Sequence, residues 1–165
     1  MLKNLTIAIP TYNRSEYLLK LLNTIPLTYN GSVVVSDNES HTKKEIKSAF
    51  PKVNFYSSEK KLKMFENWNS ALKKVSTDFF IIPSDDDLFC DDDFETINKT
   101  LKSYSDYDVF IFGHNTIDEK DTIIKSWKPK KLMVFEKGKG FEVFSKGVNA
   151  RCPSIIIRTE LAKKF

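Results

Sequence analysis

Short apolar runs that leave no polar face are the feature that most constrains the fold of this chain. Four such runs lie in the first part of the sequence, at residues 5–9, 32–36, 79–82 and 109–112, and a further short strand is predicted at residues 53–56. A strand with one face in water alternates apolar and polar residues, whereas strands of this kind are buried on both faces. Because helix-like stretches separate them, the sequence predicts an α/β fold with a mostly parallel, Rossmann-like central sheet and helices on both faces.

The stretches between these runs have the periodicity of amphipathic helices. Apolar side chains recur at helical spacing in residues 16–25, for which Ser15 is the predicted N-cap. A capping box from Thr42 to Glu45 predicts the start of a second helix. A third helix is predicted over residues 65–75, with an apolar face that consists of Phe65, Trp68, Leu72 and Val75.

After residue 112 the apolar runs are shorter and the pattern is weaker. Two antiparallel strands are predicted at residues 122–127 and 132–135, followed by a helix at 139–145. A short strand at 154–157 and a final helix from 159 onwards complete the prediction. The parallel α/β pattern therefore belongs to the first 112 residues.

Composition and charge exclude several classes of protein. The 165 residues, 41% of them hydrophobic, suffice for one domain with a real core. Lys and Arg number 26 against 22 Asp and Glu, with no basic stripe interleaved with aromatic residues, so nucleic-acid binding is not indicated. No transmembrane run or secretory signal is present, which predicts a cytoplasmic protein. Cys90 and Cys152 lack metal-ligand spacing and are expected to be reduced.

Polar residues follow three of the predicted strands directly. They lie at residues 10–14, 37–39 and 84–87, and two of the three groups carry carboxylates. In open parallel sheets, ligands bind beyond the carboxyl ends of the strands. The sequence therefore predicts a site where these three segments meet.

The carboxylates of Asp85, Asp86 and Asp87 are the strongest candidates for chemistry. Three adjacent ionised groups near the end of a buried strand need a counter-charge, and hard oxygen ligands suit Mg²⁺ or Mn²⁺. The alternative is an acidic loop that caps the next helix, and this is our interpretation of the second acidic run, at residues 91–93. An EF-hand is excluded because its Gly and its final Glu are missing.

Other polar residues allow more than one interpretation. Asp37 either caps a helix or turn, or accepts a hydrogen bond from a base or ribose. Lys60, Lys61 and Lys63 form a solvated face, or one of them meets a diphosphate. His41 and His114 are interpreted as surface or loop residues. Phosphate-binding loops and the G-x-S-x-G elbow are absent from the sequence, which disfavours dehydrogenases, kinases and serine hydrolases.

Three segments, in order and spacing, resemble one known family. They are TIAIPTYNRSEYLLKLLNTI, VVVSDNES and NWNSALKKVSTDFFIIPSDDDLF. They resemble the strand-one turn, the base-receiving strand end and the DxD-containing block of the inverting family 2 glycosyltransferases, which have the GT-A fold. The resemblance is strong over residues 4–93 and weaker over 94–165, where CPSIIIRTELAKKF is similar to a later passage of the family.

The resemblance implies a nucleotide pocket at the first two strand ends. Pro10, Thr11 and Asn13 would line it, largely through the backbone, and Asp37 would accept from the base. Lys63 would lie near the nucleotide and Asn67 in the pocket wall, with Asn69 in a position of packing or of pocket support.

The resemblance also implies a metal site. Asp85 would face the ribose or phosphate, while Asp86 would be the main Mn²⁺ or Mg²⁺ ligand, with Asp87 in support. Ser84 occupies the position where many members have the first Asp of the motif, and the literal D-x-D here is formed by Asp85 and Asp87.

By the same resemblance, residues 1–112 would be the donor-binding half and residues 113–165 the incomplete start of an acceptor-side half. The expected reaction is transfer of a sugar, with inversion, from a nucleoside diphosphate (UDP first) to a saccharide or lipid-linked acceptor hydroxyl. Bacterial cell-surface polysaccharide synthesis, with peripheral membrane association, is the expected setting.

The general base is the catalytic group that the sequence does not assign. In the family it follows the passage that here reaches Phe165, so we expect a portion of a longer enzyme that binds nucleotide but transfers sugar poorly. The alternative is a non-catalytic nucleotide-sugar or metal-binding module of the same fold. A nucleotidyltransferase is disfavoured because the first turn is not glycine-rich.

Overall fold

The computed structural model describes residues 2–164 and contains eight strands and six α-helices in that range. The strands are β1 (Leu5–Thr11), β2 (Ser32–Asp37), β3 (Val53–Ser57), β4 (Phe79–Ile81), β5 (Val109–Ile111), β6 (His114–Ile117), β7 (Ile123–Trp127) and β8 (Ile155–Arg158). The helices are α1 (Ser15–Thr24), α2 (Lys44–Ala49), α3 (Met64–Lys73), α4 (Asp93–Ser103), α5 (Phe141–Phe144) and α6 (Thr159–Ala162).

Six strands form the central sheet, in the order β3-β2-β1-β4-β8-β5. β1 to β4 are mutually parallel, whereas β8 lies between β4 and β5 and is antiparallel to both. Arg158, at the end of β8, donates to the Asp108 carboxylate and the Ser105 carbonyl, both at 2.6 Å, and so ties β8 to the start of β5. The predicted α/β fold with a mostly parallel sheet is confirmed.

Apolar side chains pack on both faces of this sheet. Ile7 and Ile9 of β1 belong to a large cluster with the buried leucines of α1 and with residues of α2 and α4. Ala8, which points to the opposite face, packs with Ala71 of α3 and with Val75, which lies two residues beyond the end of that helix. Covered faces explain why the strands are continuous apolar runs.

The predicted helix starts need correction. α1 begins at Ser15 with Arg14 as its N-cap residue, and the Ser15 hydroxyl donates to the His41 carbonyl instead of capping. The capping box from Thr42 is also wrong, since the Thr42 N–H donates to Asp37 and α2 begins later, at Lys44. In both cases contacts between neighbouring loops outweigh the local capping signal.

The predicted apolar face of α3 is wrong at Phe65, whereas Val75 is buried and Leu72 packs against the same cluster. Phe65 is 72% exposed, whereas Asn67 and Ala71 are buried. A small residue lets the helix approach β1 and β2 closely, and a buried Asn with satisfied hydrogen bonds costs little. Asn69 is exposed, so of its two expected roles the packed one is wrong and support of a pocket stays a prediction.

Among the described residues after 112, the strand predicted at residues 122–127 has a different partner from the predicted one at 132–135. β7 pairs with β6 in a separate two-stranded hairpin, while residues 132–135 form no strand. The turn explains this choice, since the Asp118 carboxylate accepts from the N–H groups of Lys120 and Thr122 and Asp121 has a φ of 62°. A short closed turn makes the adjacent pairing less costly than the longer connection. No helix of residues 2–164 has the length and hydropathy needed to span a membrane.

Candidate functional site

The carboxyl ends of β1, β2 and β3 lie side by side at one edge of the sheet. Thr11 is paired with Asp37 in the sheet register, and Asp37 with Ser57. Pro10 is buried within β1, opposite Ser36. Proline is compatible with this position because β4 flanks β1 only from Leu5 to Ile7, so no second ladder requires its missing N–H. Pro10 thus holds the strand end and exposes no side chain to a ligand.

Asp85 is joined to the end of β1 by two short contacts. It is 3% exposed, accepts from the Thr11 hydroxyl at 2.7 Å, and accepts from the Arg14 guanidinium at 2.8 Å. Burial raises the pKa of Asp85, and the contacts with Thr11 and Arg14 act in the opposite direction. The loop after β4 is therefore fixed to the β1–α1 turn, as the sequence predicted from the strand ends.

Asp86 and Asp87 differ in their surroundings. The Asp86 side chain is 41% exposed and lies 3.1 Å from the Arg14 guanidinium. Asp87 accepts from the Ser84 N–H at 2.7 Å. Burial raises the pKa of Asp87 to about 6, and the charges of Asp86 and Asp85 add to this effect against the Ser84 hydrogen bond. Asp86 is thus the carboxylate of the three that solvent reaches most freely.

Arg14 is a site residue that the sequence analysis did not single out. Partial desolvation would lower its pKa, but the neighbouring carboxylates of Asp85 and Asp86 raise it, so the guanidinium stays charged. Its side chain also lies over the Tyr17 ring, 4.9 Å from the centroid. Asn13 precedes it with a φ of 53°, a left-handed conformation that Asn tolerates and that turns the chain toward α1. The signal in the sequence that could have indicated this role is that Arg14 is the cationic residue of the polar segment at the end of β1.

Asn67 supports the site from below. Its side-chain amide donates to the Thr11 carbonyl at 3.1 Å, and its oxygen accepts from the Ser36 hydroxyl at 2.8 Å. Asn67 is 5% exposed, so it links α3 to the ends of β1 and β2. This geometry makes Asn67 a support of the two strand ends.

The Asp37 carboxylate is engaged within its own loop. It is 1% exposed, accepts from the N–H groups of His41 and Thr42, and forms an ion pair with Lys47 at 3.2 Å. With no exposed side-chain surface, Asp37 reaches a ligand only if this loop opens. The turn-forming interpretation describes the observed contacts, and base recognition stays a prediction.

The next residue, Asn38, fixes the lysine-bearing loop. Its side chain donates to the Leu62 carbonyl at 3.0 Å and accepts from the Leu62 N–H at 2.8 Å. Lys61 consequently lies over the Tyr12 ring, 4.6 Å from its centroid, and Tyr12 meets the His41 ring at 5.2 Å. Lys63 is exposed at the start of α3, where its N–H donates to Glu66. Of the lysines considered, Lys61 is the one that contacts the β1 end.

A cleft of about 500 Å³ opens beside the carboxylates. Its lining includes Asp86, Asp87, Arg151 and the turn between β6 and β7. His114 also lines it, with a pKa lowered by burial and by the charges of Arg151 and Lys125. This convergence is not evident from the sequence because it depends on where the hairpin of β6 and β7 packs.

The carboxylates fit a hard divalent cation of the kind that keeps several non-protein ligands. Among residues 2–164, no three His, Cys, Asp or Glu side chains converge to hold a metal on their own. Mg²⁺ and Mn²⁺ are bound through one or two carboxylates together with water and phosphate oxygens. One cationic nitrogen of Arg14 already lies within contact distance of both Asp85 and Asp86, so the pair is arranged around a positive charge.

An edge of three parallel strand ends, with carboxylates on the loop after β4, is where an open α/β sheet of the GT-A kind would bind a ligand. The family model of Glycosyl transferase family 2 matches residues 6–165. The chain therefore belongs to that family. No curated protein sequence matches it significantly.

Solved structures with the same fold cover nearly the whole chain. Residues 1–349 of S. aureus TarS match with a TM-score of 0.71 and 21% identity, over 98% of this chain and 48% of that one. The same protein in complex with UDP-GlcNAc matches with a TM-score of 0.67 and 22% identity, over 98% and 47%. The mannosyltransferase PcManGT from Pyrobaculum calidifontis, in complex with GDP-Man and Mn²⁺, matches with a TM-score of 0.61 and 16% identity, over 98% and 46%. The chain spans about half the length of these structures.

Proposed function

We propose that this chain binds a nucleoside-diphosphate sugar, a UDP-sugar in the first instance, as the donor half of a glycosyltransferase. The observation that carries the proposal is the linked set Thr11–Asp85–Arg14–Asp86 at the carboxyl edge of β1 and β4. It combines partly exposed carboxylate oxygens with one cation, in a chain of a glycosyltransferase family.

For the nucleotide, we assign the pocket to the ends of β1 and β2. The backbone from Pro10 to Asn13 forms its floor, and Asn67 keeps that backbone in place. Tyr12 and Lys61, packed on each other, offer an aromatic face and a positive charge at the rim. Asp37 and Lys63 retain the roles predicted for them, base recognition and a charge near the nucleotide.

For the diphosphate, we assign Asp86 as the main ligand of Mn²⁺ or Mg²⁺, with Asp87 in support and Asp85 facing the ribose or phosphate. A divalent cation there would act as a Lewis acid on the charge that grows on the leaving diphosphate. The exposure of Asp86 supports its role as the main ligand, whereas Asp85, which is buried and held by Thr11 and Arg14, would reach the ribose or phosphate only if those contacts open.

The choice of UDP follows from the structural neighbours. TarS has been solved with UDP and with UDP-GlcNAc, while the more distant PcManGT was solved with GDP-Man and Mn²⁺. UDP is therefore the first nucleotide to test and GDP the second.

For the acceptor, we propose that residues 113–165 begin the acceptor side, next to the donor half formed by residues 1–112. The cleft beside Asp86 and Asp87 supports this division, since an acceptor hydroxyl must reach the sugar next to the diphosphate. Transfer with inversion requires a carboxylate base on that side. The proposed product is a glycosidic bond in cell-surface polysaccharide synthesis.

One observation favours a non-catalytic binding module as the second candidate. Asp118 and Asp121 line the cleft, but Asp118 accepts from two backbone N–H groups and Asp121 pairs with Lys20 at 2.9 Å. Neither of these two is poised to take a proton from an acceptor, and Glu119 is the remaining carboxylate of this turn that lines the cleft. Transfer of the sugar from the donor to a saccharide acceptor by this chain would exclude the binding-module alternative.

Calorimetric titration of UDP into the chain tests the donor site. We expect binding in the presence of Mn²⁺, loss of binding in EDTA, and loss in Asp86→Ala. Asp91→Ala removes the same charge from an exposed position and is the matched control. If UDP, GDP, CDP and dTDP all fail to bind with Mn²⁺, or if Asp86→Ala binds as well as the unmodified chain, the assignment is wrong.

A further inference from the structure

Arg14 contacts two carboxylates with one guanidinium nitrogen, Nη1. This nitrogen lies 2.8 Å from Asp85 Oδ1 and 3.1 Å from Asp86 Oδ2. The Arg14 side chain is 45% exposed, so it can leave one partner without unfolding its surroundings.

The two contacts differ in permanence. The Asp85 side chain is 4% exposed and is also held by Thr11, and separating a buried carboxylate from its cation is costly. The Asp86 side chain is 41% exposed, and ion pairs in water are weak. The contact with Asp86 is therefore the one that can be exchanged for another ligand.

We propose that Arg14 gates the metal position at Asp86, so that a divalent cation binds there together with a diphosphate and poorly alone. This rests on the function proposed above. A cation approaching Asp86 on its own meets the guanidinium at the same oxygen, and two positive charges near one carboxylate repel each other.

A diphosphate removes this obstacle. Its oxygens neutralise the added charge, and two of them can accept from the planar guanidinium at once, a bidentate contact that arginine makes well. Arg14 then keeps Asp85 and exchanges Asp86 for a phosphate oxygen, leaving Asp86 to the metal. Because coupling between two ligands is reciprocal, Mn²⁺ raises the affinity for UDP by the same factor as UDP raises the affinity for Mn²⁺.

The test is the affinity for Mn²⁺, measured by electron paramagnetic resonance of the free ion, without and with saturating UDP. The Mn²⁺–UDP complex formed without protein is measured separately and subtracted. The chains compared are the unmodified protein, Arg14→Gln, Arg14→Lys and Lys99→Gln. Lys99 is exposed on α4 and controls for the loss of one positive charge.

We expect Arg14→Gln to bind Mn²⁺ alone about 5-fold more tightly than the unmodified chain, and the enhancement by UDP to fall by at least that factor, within the usual range of such couplings. Arg14→Lys keeps a counter-charge for buried Asp85 but is one atom shorter, so it shows the same change to a smaller degree even if Arg14→Gln does not fold. Lys99→Gln behaves like the unmodified chain.

Three results would overturn the gate. Arg14→Gln and Arg14→Lys could bind Mn²⁺ alone no more tightly than the unmodified chain, they could keep its full enhancement by UDP, or Lys99→Gln could match them. In those cases metal-dependent UDP binding by the unmodified chain leaves the proposed function standing. If the unmodified chain binds neither UDP nor Mn²⁺ with UDP, the gate and the function fail together.

Discussion

The two aspartate triplets, at residues 85–87 and 91–93, have the same composition and the same local turn. In the first triplet the Ser84 N–H donates to the Asp87 carboxylate at 2.7 Å and the Asp87 N–H donates back to the Ser84 carbonyl at 3.1 Å. In the second, the Cys90 N–H donates to the Asp93 carboxylate at 2.8 Å and the Asp93 N–H donates back to the Cys90 carbonyl at 3.2 Å. Local sequence alone therefore builds the same structure twice.

The triplets differ in what the rest of the fold brings to them. Asp85 receives the Thr11 hydroxyl and the Arg14 guanidinium from the end of β1, and Asp86 receives the same guanidinium. In the second triplet, Asp91 and Asp92 are exposed and Asp93 starts α4. A site thus depends on the distant strand end that meets the carboxylates. Removing the contacts between β1 and the first triplet should make the two triplets behave alike.

The largest effect on stability is expected from Asp85→Ala. It leaves the Thr11 hydroxyl and the Arg14 guanidinium without their shared partner, and should cost about 2 kcal/mol of unfolding free energy in urea titrations. Asp91→Ala, the corresponding change in the second triplet, should lie within about 0.5 kcal/mol of the unmodified chain. Equal losses in the two variants would show that the contacts of Asp85 are not stabilising.

Thr11→Val tests the partner instead of the carboxylate. It keeps the shape of the strand end but removes the donor to Asp85 Oδ2, which should cost about 1 kcal/mol and weaken Mn²⁺-dependent UDP binding. Thr100→Val removes an exposed hydroxyl that donates to the Thr96 carbonyl within α4, and serves as the control. A Thr11→Val chain that unfolds and binds like Thr100→Val would contradict the proposed link between β1 and the first triplet.

The corresponding residues Asp87 and Asp93 should give the two triplets different effects on the pH dependence of stability. The pKa of Asp87 is raised to about 6 from an ordinary 3.8, so between these values the folded chain holds the proton more firmly than the unfolded chain. Stability from this group therefore increases as the pH falls from 7 to 4 and is lost again as the pH rises. Burial also raises the pKa of Asp93, but the N-terminus of α4 favours its charged form.

The measurement is the unfolding free energy at pH 7 and pH 4 in EDTA. The asparagine side chain does not titrate, so Asp87→Asn removes this pH dependence. We expect the unfolding free energy of Asp87→Asn minus that of the unmodified chain to be about 1–2 kcal/mol larger at pH 7 than at pH 4. Asp93→Asn should change the dependence less. A flat difference between the two pH values for Asp87→Asn would show that Asp87 titrates as an ordinary exposed carboxyl.

The sequence was sufficient for the parallel part of the fold and for the segments that form the edge. The five strands predicted for the first 112 residues are all present, and the polar residues at the end of β1 do meet Asp85 after β4. Period and burial fix these elements, and the edge follows from strand direction alone.

Sequence reasoning could not supply the partners across that edge. Arg14 and Asp85 meet only because β1 and β4 are neighbours, and the insertion of β8 between β4 and β5 is not a local property. The same limit applies to α3, where large apolar residues at helical spacing suggested Phe65 as core, while close packing selected Ala71. Long-range contacts decided each of these cases.

The smallest effect should come from Asp92→Asn. Asp92 is the N-cap residue of α4 and its side chain makes no capping hydrogen bond, so its contribution is limited to the charge at the helix N-terminus. Neutralising it should cost about 0.3–0.5 kcal/mol at low salt and less at high salt, because exposed charges are screened. Thermal unfolding at low and at high NaCl, followed by UDP titration with Mn²⁺, measures both properties. Unchanged UDP binding is the expected result, since the second triplet lacks the β1 partners of the first. A loss of UDP binding as large as that of Asp86→Ala would mean that acidic charge near the sheet edge, and not its pairing with Thr11 and Arg14, distinguishes the site.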